Sequence, residues 1–357
     1  MSTELVSIAD AFDALLQGEL AAARHEEAGQ GWSPALWAAA VQAGFGAIAV
    51  DEALGGAGAS PAALGAVLER AGYHAAPAPV GRANIGALGC ALLDAQGVAV
   101  GQHVVAIDLR RHVGLPGDPS AWMPLIAQPL RSLPWAAQCD ELLALLPAER
   151  GEAWATRVPR AACRIEPATN IAGEPRADWL PTAPIAMRAA PRATVRRLCD
   201  LLALARASAI AGAVLRVLDL SFAYANDRQQ FGRPIFAFQA VQHELAELAS
   251  TAEQLRAMLS DAYERADGSD EGHLWSLAVE TCAALAAARA IRTGHQLHGA
   301  VGITMEYELQ RYTRRLMAWR DEGGSEARTG YELGRLLRGA PADEVWRVST
   351  AWVSSPI

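Results

Sequence analysis

Apolar residues repeat at helical spacing through most of this chain, with one interruption in the middle. Before residue 98 they recur every three or four positions, as in Ile8, Phe12, Leu15 and Leu16, which indicates amphipathic helices. Between about 100 and 190 the apolar runs shorten to strand length, at 104–107 and 141–146, and many prolines separate them. From about Arg192 onward the chain is again strongly helical. The pattern predicts a mainly α protein with a small β domain.

The last part of the chain is predicted to be a helix bundle. Residues 198–226 carry few charges among Leu, Ala, Val and Ile, so this helix belongs at the centre of the bundle. The next helix repeats apolar residues at alternating spacings of three and four from Phe238 to Leu259, as shallowly crossed helices do. An alanine-rich helix follows from about His273 to Leu297. We therefore predict three domains, which are an N-terminal helical domain (1–98), a reduced middle β-domain (99–190) and a C-terminal four-helix bundle (191–357).

Composition and charge narrow the class of protein. The 357 residues are 52% hydrophobic and 20% charged, as in a globular protein, and the net charge of −8 argues against nucleic acid or an anionic membrane as a partner. No uninterrupted apolar run approaches the roughly 20 residues that span a bilayer, and no signal peptide is visible, so we expect a cytoplasmic protein. The five cysteines are scattered without a CxxC pair, and His295 and His298 lack supporting ligands. No disulfide and no metal site are predicted.

The densest motif lies between the first two bundle helices. Gly232 and Pro234 predict a tight bend there, and Arg228 offers a fork of donors suited to a phosphate. The string from Arg228 to Gln239 resembles the signature Arg-x-x-Phe-Gly-x-Pro-Ile-x-x-Phe-Gln of the acyl-CoA dehydrogenase family. The resemblance implies that this bend contacts the pyrophosphate and adenosine of an FAD held mainly by a neighbouring subunit. The residues implied are Arg228, Gln230, Phe231 and Gln239.

A second motif resembles another element of the same family. Gly299 and Gly302 are predicted to end one helix, and Thr304 to cap the next. The string also resembles the family's Gln-x-x-Gly-Gly-x-Gly-x-x-x-Glu-Tyr element, with Ala300 in place of one glycine. The resemblance implies that Gln296, Gly299 and Gly302 bind FAD by letting a neighbour's adenosine approach the backbone.

A third motif near the N-terminus resembles the family's Leu-Trp, Gly, Val-Pro-Glu and Gly-Gly-x-Gly pattern. The matching residues are Trp37, Gly44, Val50, Glu52, Gly55, Gly56 and Gly58, with Asp51 in place of the proline.

The flavin-ring half of the family's site departs from this pattern. Residues 136–140 resemble the family's Ala-x-x-Ala-Asp stretch. Neither the Thr-Glu-Pro-x-x-Gly-Ser segment nor the Phe-Ile-Thr type segment is found between Gly101 and Asp140. In the family these segments hydrogen-bond the isoalloxazine ring and the acyl-CoA thioester. We therefore expect the part of the site that holds the chain's own flavin ring to be reduced or lost.

Glu322 is the candidate catalytic residue. Residues 321–326 resemble the family's Tyr-Glu-Gly-Thr-Ser-Glu, whose first glutamate removes the substrate α-proton in many members. That step needs a carboxylate in an apolar pocket with its pKa raised toward neutrality. Asp321 replaces the aromatic that would keep the carboxylate dry, so a surface turn is the alternative role for Glu322. Other members place the base on the first bundle helix, at about Ala203 here, which cannot take a proton.

Three functions stay open at this point. The resemblance implies an FAD-dependent acyl-CoA dehydrogenase subunit, the short partner of a full-length paralogue in an α2β2 heterotetramer that completes the partner's FAD site. Its substrate would be an acyl-CoA, bulky or with a sterol side chain by analogy, and its electron acceptor a protein such as electron-transfer flavoprotein. The second function is a self-sufficient homotetrameric dehydrogenase that uses Glu322. The third is a non-catalytic scaffold for a partner.

Overall fold

Helices occupy both ends of the chain, and a group of short sheets lies between them. The computed structural model describes residues 3–23, 31–94, 104–109, 125–148, 151–323 and 325–338. The mainly α fold with a small β region is confirmed, while the boundaries proposed for the three domains stay a prediction. The helices are α1 (Thr3–Ala23), α2 (Pro34–Gln42), α3 (Pro61–Tyr73), α4 (Val80–Asp94), α5 (Arg192–Asp227), α6 (Gln239–Arg265), α7 (Asp270–His298), α8 (Leu309–Glu322) and α9 (Ser325–Leu337). The strands are β1 (Val104–Asp108), β2 (Leu125–Ile126), β3 (Leu130–Pro134), β4 (Glu141–Leu146), β5 (Ala153–Pro159), β6 (Cys163–Thr169), β7 (Pro175–Pro181), β8 (Ile185–Ala186), β9 (Arg188–Ala190), β10 (Gln229–Gln230) and β11 (Arg233–Pro234).

Local sequence fixes the start of the N-terminal helices. Both α2 and α3 begin with proline after a serine, and the serine side chain accepts a hydrogen bond from the first turn in each. The loop between these helices is held by Asn84 of α4. Its side-chain oxygen accepts from the Ile48 amide at 2.6 Å, and its nitrogen donates to the Phe45 carbonyl at 2.8 Å. The glycine cluster that follows is therefore a fixed turn between helices.

The central helix α5 joins the N-terminal helices to the bundle. Its 36 residues give a length of about 54 Å, and most of them are buried. It crosses α3 at a short distance, because a glycine on each helix packs directly against the backbone of the other. A Cβ on Gly212 would lie 1.8 Å from the Glu69 carbonyl oxygen, and one on Gly72 would lie 2.0 Å from the Ala209 carbonyl oxygen. Residues from Phe12 to Leu316 consequently contribute to one apolar core.

Among the residues that the structure describes, two helical stretches are long and apolar enough to cross a membrane. They are α5 and the run 270–303, and 72% and 56% of their most apolar windows are buried inside the fold. Buried core helices of globular proteins have the same length and composition. The burial assigns both stretches to the core of the bundle.

The middle sheets form a second core. In the four-stranded sheet the order is β1-β4-β5-β9, with β1 parallel to β4 and the other pairs antiparallel. A three-stranded antiparallel sheet has the order β3-β7-β6. Their shared core contains Trp179, Leu130 and Leu142, all fully buried. Arg176 of β7 reaches out of this core toward the end of α8.

Candidate functional site

The bend after α5 is a β-hairpin that projects from the end of the bundle. Strands β10 and β11 pair through Gln230 and Arg233, and the two residues between them, Phe231 and Gly232, have φ values of +53° and +77°. Positive φ at both positions defines a type I′ turn. The Arg228 amide donates to Tyr224 and its carbonyl accepts from Ile235, so its backbone is fixed while its side chain is exposed. The Phe231 ring is 92% exposed.

The glycine segment after α7 is a short 3₁₀ turn, Gly299–Ile303. Gly299 has a φ of +61°, and no atom lies within 4 Å of the position a Cβ would take, so its backbone is open to approach. Gly302 is buried, and a Cβ there would lie 2.8 Å from that of His298. The prediction that Thr304 caps the next helix is wrong. Its hydroxyl donates back to the Val301 carbonyl at 3.0 Å, and α8 begins only at Leu309.

Ring stacking brings the two motifs together. The Tyr224 ring in the last turn of α5 stacks on the His298 ring at the end of α7, with the centroids 4.4 Å apart. Tyr307 approaches the same histidine at 5.1 Å. The ends of α5 and α7 and the start of α6 therefore form one end of the bundle. This end carries all seven predicted FAD contacts, of which Arg228, Gln230, Phe231, Gln239, Gln296 and Gly299 are exposed and Gly302 is buried.

The chemistry of this surface suits the pyrophosphate and adenosine of FAD. Arg228 supplies charged donors, the glutamines supply neutral donors and acceptors, and Phe231 supplies an aromatic face. The open backbone at Gly299 gives a flat ligand room to approach. The residues present thus fit the group, and the assignment of these seven contacts stays a prediction. Within the described residues no cluster of three or more His, Cys, Asp or Glu could hold a metal ion.

Glu322 lies elsewhere, in a buried ion-pair network. Arg176 of β7 donates to its carboxylate, and Arg82 of α4 donates to it at 3.5 Å. The Arg176 side chain is only 2% exposed and also lies 3.6 Å from the Glu174 carboxylate. Two guanidinium groups therefore compensate the charge of Glu322. Neither the apolar pocket of a general base nor the exposed turn of the alternative reading describes this environment.

Glu174 extends the network into α8. Its Oε2 accepts from Trp319 at 3.0 Å and from Asn170 at 2.9 Å, and its Oε1 lies 3.3 Å from Nε of Arg315. The Arg315 side chain is only 7% exposed. The network joins α4, β7 and α8, one element from each part of the chain. The alternative base position, Ala203, is buried in α5.

A cleft opens beside this network. Its walls come from α3, the start of α4, α5 and the end of α8, and the Trp135 side chain closes part of it. Trp135 has a φ of +63°, which is strained for a tryptophan. Arg82, Arg206, Glu174 and Glu322 line one end of the cleft. A polar end and apolar walls are typical of a small-molecule pocket.

Sequence reasoning missed the arginines of this cleft and network. Arg82 and Arg206 stand in apolar helical stretches, and Arg176 stands two residues after Glu174 in a strand. Glu174 lies just before β7 and Arg176 lies within it, so the spacing of two between opposite charges was one local signal, and it concerned Arg176 alone. An isolated arginine in an otherwise apolar stretch is a second signal, because such a charge needs a buried partner.

The family models match both helical parts of the chain. The N-terminal domain of acyl-CoA dehydrogenase matches residues 2–98, and the C-terminal domain matches residues 197–335. The chain belongs to the acyl-CoA dehydrogenase family. It is 28% identical over 297 residues to acyl-CoA dehydrogenase IpdE2 of Mycobacterium tuberculosis, covering 80% of this chain and 81% of that one.

Solved structures share the fold. The chain aligns with a chain of the ChsE4-ChsE5 complex from Mycobacterium tuberculosis at a TM-score of 0.84 and 21% identity, covering 96% of this chain and 99% of that one. It aligns with a chain of the Tcur3481-Tcur3483 steroid ACAD, G363A variant, at a TM-score of 0.80 and 24% identity, covering 94% and 98%. At these identities the likeness concerns the fold.

Proposed function

We propose that this chain is an acyl-CoA dehydrogenase subunit that completes the FAD site of a partner chain. The partner is a full-length paralogue, and the assembly is an α2β2 heterotetramer that acts in the cytoplasm. The chemistry that an FAD bound there would supply is acceptance of the hydride from the acyl β-carbon, with reoxidation by an electron acceptor such as electron-transfer flavoprotein. This chain's part is to bind and orient the pyrophosphate and adenosine through Arg228, Gln230, Gln239 and Gln296.

The distance between the hairpin and the cleft carries this proposal. Ala209 lines the cleft, and Arg228 follows the end of α5, so roughly 27 Å of helix separates them at 1.5 Å per residue. An arginine side chain is far too short to span that distance. The exposed donors at the end of the bundle are therefore positioned for a ligand held mainly outside this chain.

The substrate class follows from family membership and its relatives. An acyl-CoA thioester is the substrate that the family name implies, and a steroid-derived or other bulky acyl group is the finer proposal. One solved relative is described as a steroid ACAD, and both aligned complexes contain two different chains by their printed names. These similarities support a partnered enzyme for large substrates, by analogy.

A second candidate function rests on the position of Glu322. Its carboxylate lines the cleft, where an acyl group could lie beside it. A homotetrameric enzyme would use this carboxylate as the α-proton base. The ion pairs with Arg176 and Arg82 weigh against this role, because a base must first be released from them.

The test is the visible spectrum of this chain purified alone and after co-expression with its nearest full-length paralogue. We expect a colourless chain alone and a yellow, active complex with fewer flavins than chains. Arg228→Ala should lower the flavin content and turnover of the complex by about tenfold, since a charge-assisted bond to phosphate is worth about 1.5–3 kcal/mol. Arg164→Ala, which removes an exposed arginine from β6, is the matched control.

The outcomes separate the functions. About one flavin per chain in the solo protein would contradict a shared site and direct attention to Glu322. A complex that keeps its flavin and turnover after Arg228→Ala would leave this chain as a scaffold.

A further inference from the structure

One buried histidine connects the two motifs at the end of the bundle. His298 is the last residue of α7, directly before Gly299, and it is 3% exposed. Its Nδ1 lies 2.9 Å from the Gly294 carbonyl oxygen and donates to it, because a carbonyl oxygen can only accept. Burial lowers the pKa of His298, which keeps the ring neutral near pH 7. The ring is thus held in one orientation by its own helix.

Two tyrosine rings pack against this histidine. The Tyr224 ring stacks on it with an angle of 29° between the planes, and the Tyr307 ring approaches it at 53°. The two tyrosines contact each other edge to face, with their centroids 6.2 Å apart. Stacked and edge-to-face contacts are the favourable arrangements of aromatic rings. Tyr224, His298 and Tyr307 therefore form one packed unit, the aromatic triad.

The triad joins the backbone of the hairpin to that of the glycine segment. The Tyr224 carbonyl accepts from the Arg228 amide at 2.8 Å, so the position of Tyr224 determines that of Arg228. On the other side, His298 is bonded directly to Gly299, and a Cβ on Gly302 would lie 2.8 Å from the His298 Cβ. A shift of the histidine ring against Tyr224 would consequently move Arg228 relative to Gly299.

A further aromatic contact keeps the hairpin attached to α5. The rings of Phe222 and Phe236 meet edge to face with their centroids 5.1 Å apart. Phe222 is 49% exposed, so this contact lies at the surface, whereas the ring of His298 is buried. Loss of the histidine ring should therefore loosen the hairpin without detaching it.

We propose that His298 is a positioning residue of the shared FAD site, and that its stack on Tyr224 sets the distance between Arg228 and Gly299. The identity of the ligand rests on the proposed function, whereas the positioning is a property of this chain alone. His298 acts through its neighbours, because its side chain is buried and its Nδ1 is engaged with Gly294. Removing the ring should weaken FAD binding although every group that contacts the dinucleotide is still present.

Hydrogen exchange on the full chain alone tests the positioning without FAD or a partner. The Arg228 and Ile235 amides donate to the Tyr224 and Arg228 carbonyls, so their protection reports on the hairpin, while amides of α3 report on global stability. His298→Leu and His298→Phe both lose the bond to Gly294, and only phenylalanine keeps a ring. We expect hairpin protection to fall about two- to tenfold in His298→Leu, as for one aromatic contact, and to stay within about twofold in His298→Phe.

Titration of the complex with FAD then tests whether the positioning matters for the cofactor. His298→Leu should raise the Kd for FAD by about two- to tenfold, and His298→Phe should restore it. Because His298 acts partly through Arg228, the double variant His298→Leu/Arg228→Ala should lose less affinity than the product of the two single losses. His295→Leu, at a half-buried position one turn earlier on α7, is the control and should leave the Kd unchanged.

Three results would overturn the proposal. They are unchanged hairpin protection in His298→Leu, equal losses in His298→Leu and His298→Phe, and fully multiplicative losses in the double variant. If His298→Leu fails to fold, Tyr224→Leu removes the same stack from a half-buried position and provides the same comparison. An unchanged Kd for FAD in Arg228→Ala would instead contradict the proposed function, and the exchange experiment would still decide the positioning.

Discussion

Arg176 of β7 is bonded to Glu322 at the end of α8, 146 residues further along the chain. The pair links the middle sheets to the bundle. Arg82 of α4 donates to the same carboxylate and so links the N-terminal helices to it as well. Glu322, the candidate base from the sequence motif, is therefore part of the contact that holds three parts of the chain together.

Replacing Glu322 tests whether its role is structural or catalytic. Glu322→Gln removes the closer charge partner of the buried Arg176 and leaves only the Glu174 carboxylate, 3.6 Å away, so we expect the free energy of unfolding to fall by about 3 kcal/mol. Turnover per folded complex should not change. Urea denaturation and steady-state kinetics measure the two effects separately. Glu332→Gln, in the surface pair with Arg328, should cost at most about 0.5 kcal/mol. A drop in turnover of two orders of magnitude or more with stability retained would make Glu322 the base.

Two glycines should respond to alanine in opposite directions. Gly212→Ala would place a methyl group 1.8 Å from the Glu69 carbonyl oxygen, so the α3–α5 crossing must open, and we expect a loss of about 3 kcal/mol. Gly330→Ala in α9 meets no atom within 4 Å, and alanine is favoured in a helix by about 0.5–1 kcal/mol. Thermal unfolding of both variants checks the pair. Equal effects in the two would contradict the close crossing.

His298 should make stability depend on pH. Burial lowers its pKa, the nearby backbone carbonyls of Gly294 and Leu220 oppose the shift, and His295 adds to it. Below about pH 6.5 the histidine is therefore protonated in the unfolded chain but still neutral in the folded chain. The free energy of unfolding falls as the pH falls through this range, and it stops falling once the pH is below the pKa of the folded state. The slope from one proton is at most about 1.4 kcal/mol per pH unit.

The comparison that isolates this effect uses His298→Gln. Denaturation at pH 5, 6, 7 and 8 should show a shallower loss of stability toward low pH than in the unaltered protein. The variant will also lose the stacking on Tyr224, so the slope and not the absolute stability is the readout. His243→Gln, at an exposed position on α6, controls for the loss of a histidine. Identical slopes in His298→Gln and the unaltered protein would count against the buried histidine.

Local signals predicted many elements well. The apolar spacing of Ile8, Phe12 and Leu16 predicted the helix found at α1, and a short apolar run predicted the strand found at β4, 141–146. The sequence pattern did not predict helix α4, because its glycines lower its helix propensity. Gly89 is needed where a Cβ would lie 2.2 Å from Leu143, so tertiary packing decided against propensity.

The site was predicted unevenly for a physical reason. The hairpin and the glycine segment are each formed by a few consecutive turn residues. Arg228 and Gly299 could therefore be identified from the adjacent sequence. The environment of Glu322 depends on Arg176 and Arg82, which are 146 and 240 residues away in sequence. An ion pair between residues so far apart produces no periodic pattern in the sequence. The cleft and its arginines therefore emerged only from the folded chain.

The continuous core along α5 determines how the protein can open. Helices from both ends of the sequence share that core, so neither end can unlock without exposing the apolar surface of the other. The middle sheets also have a core of their own, but one face of β1, β4 and β5 packs into the helical core through Ala106, Leu143 and Ala155. The β3-β7-β6 sheet contributes only to the second core. We therefore expect amide hydrogens of β6 and β7 to exchange through a smaller opening than those of α3, α5 and β4, which share the large core.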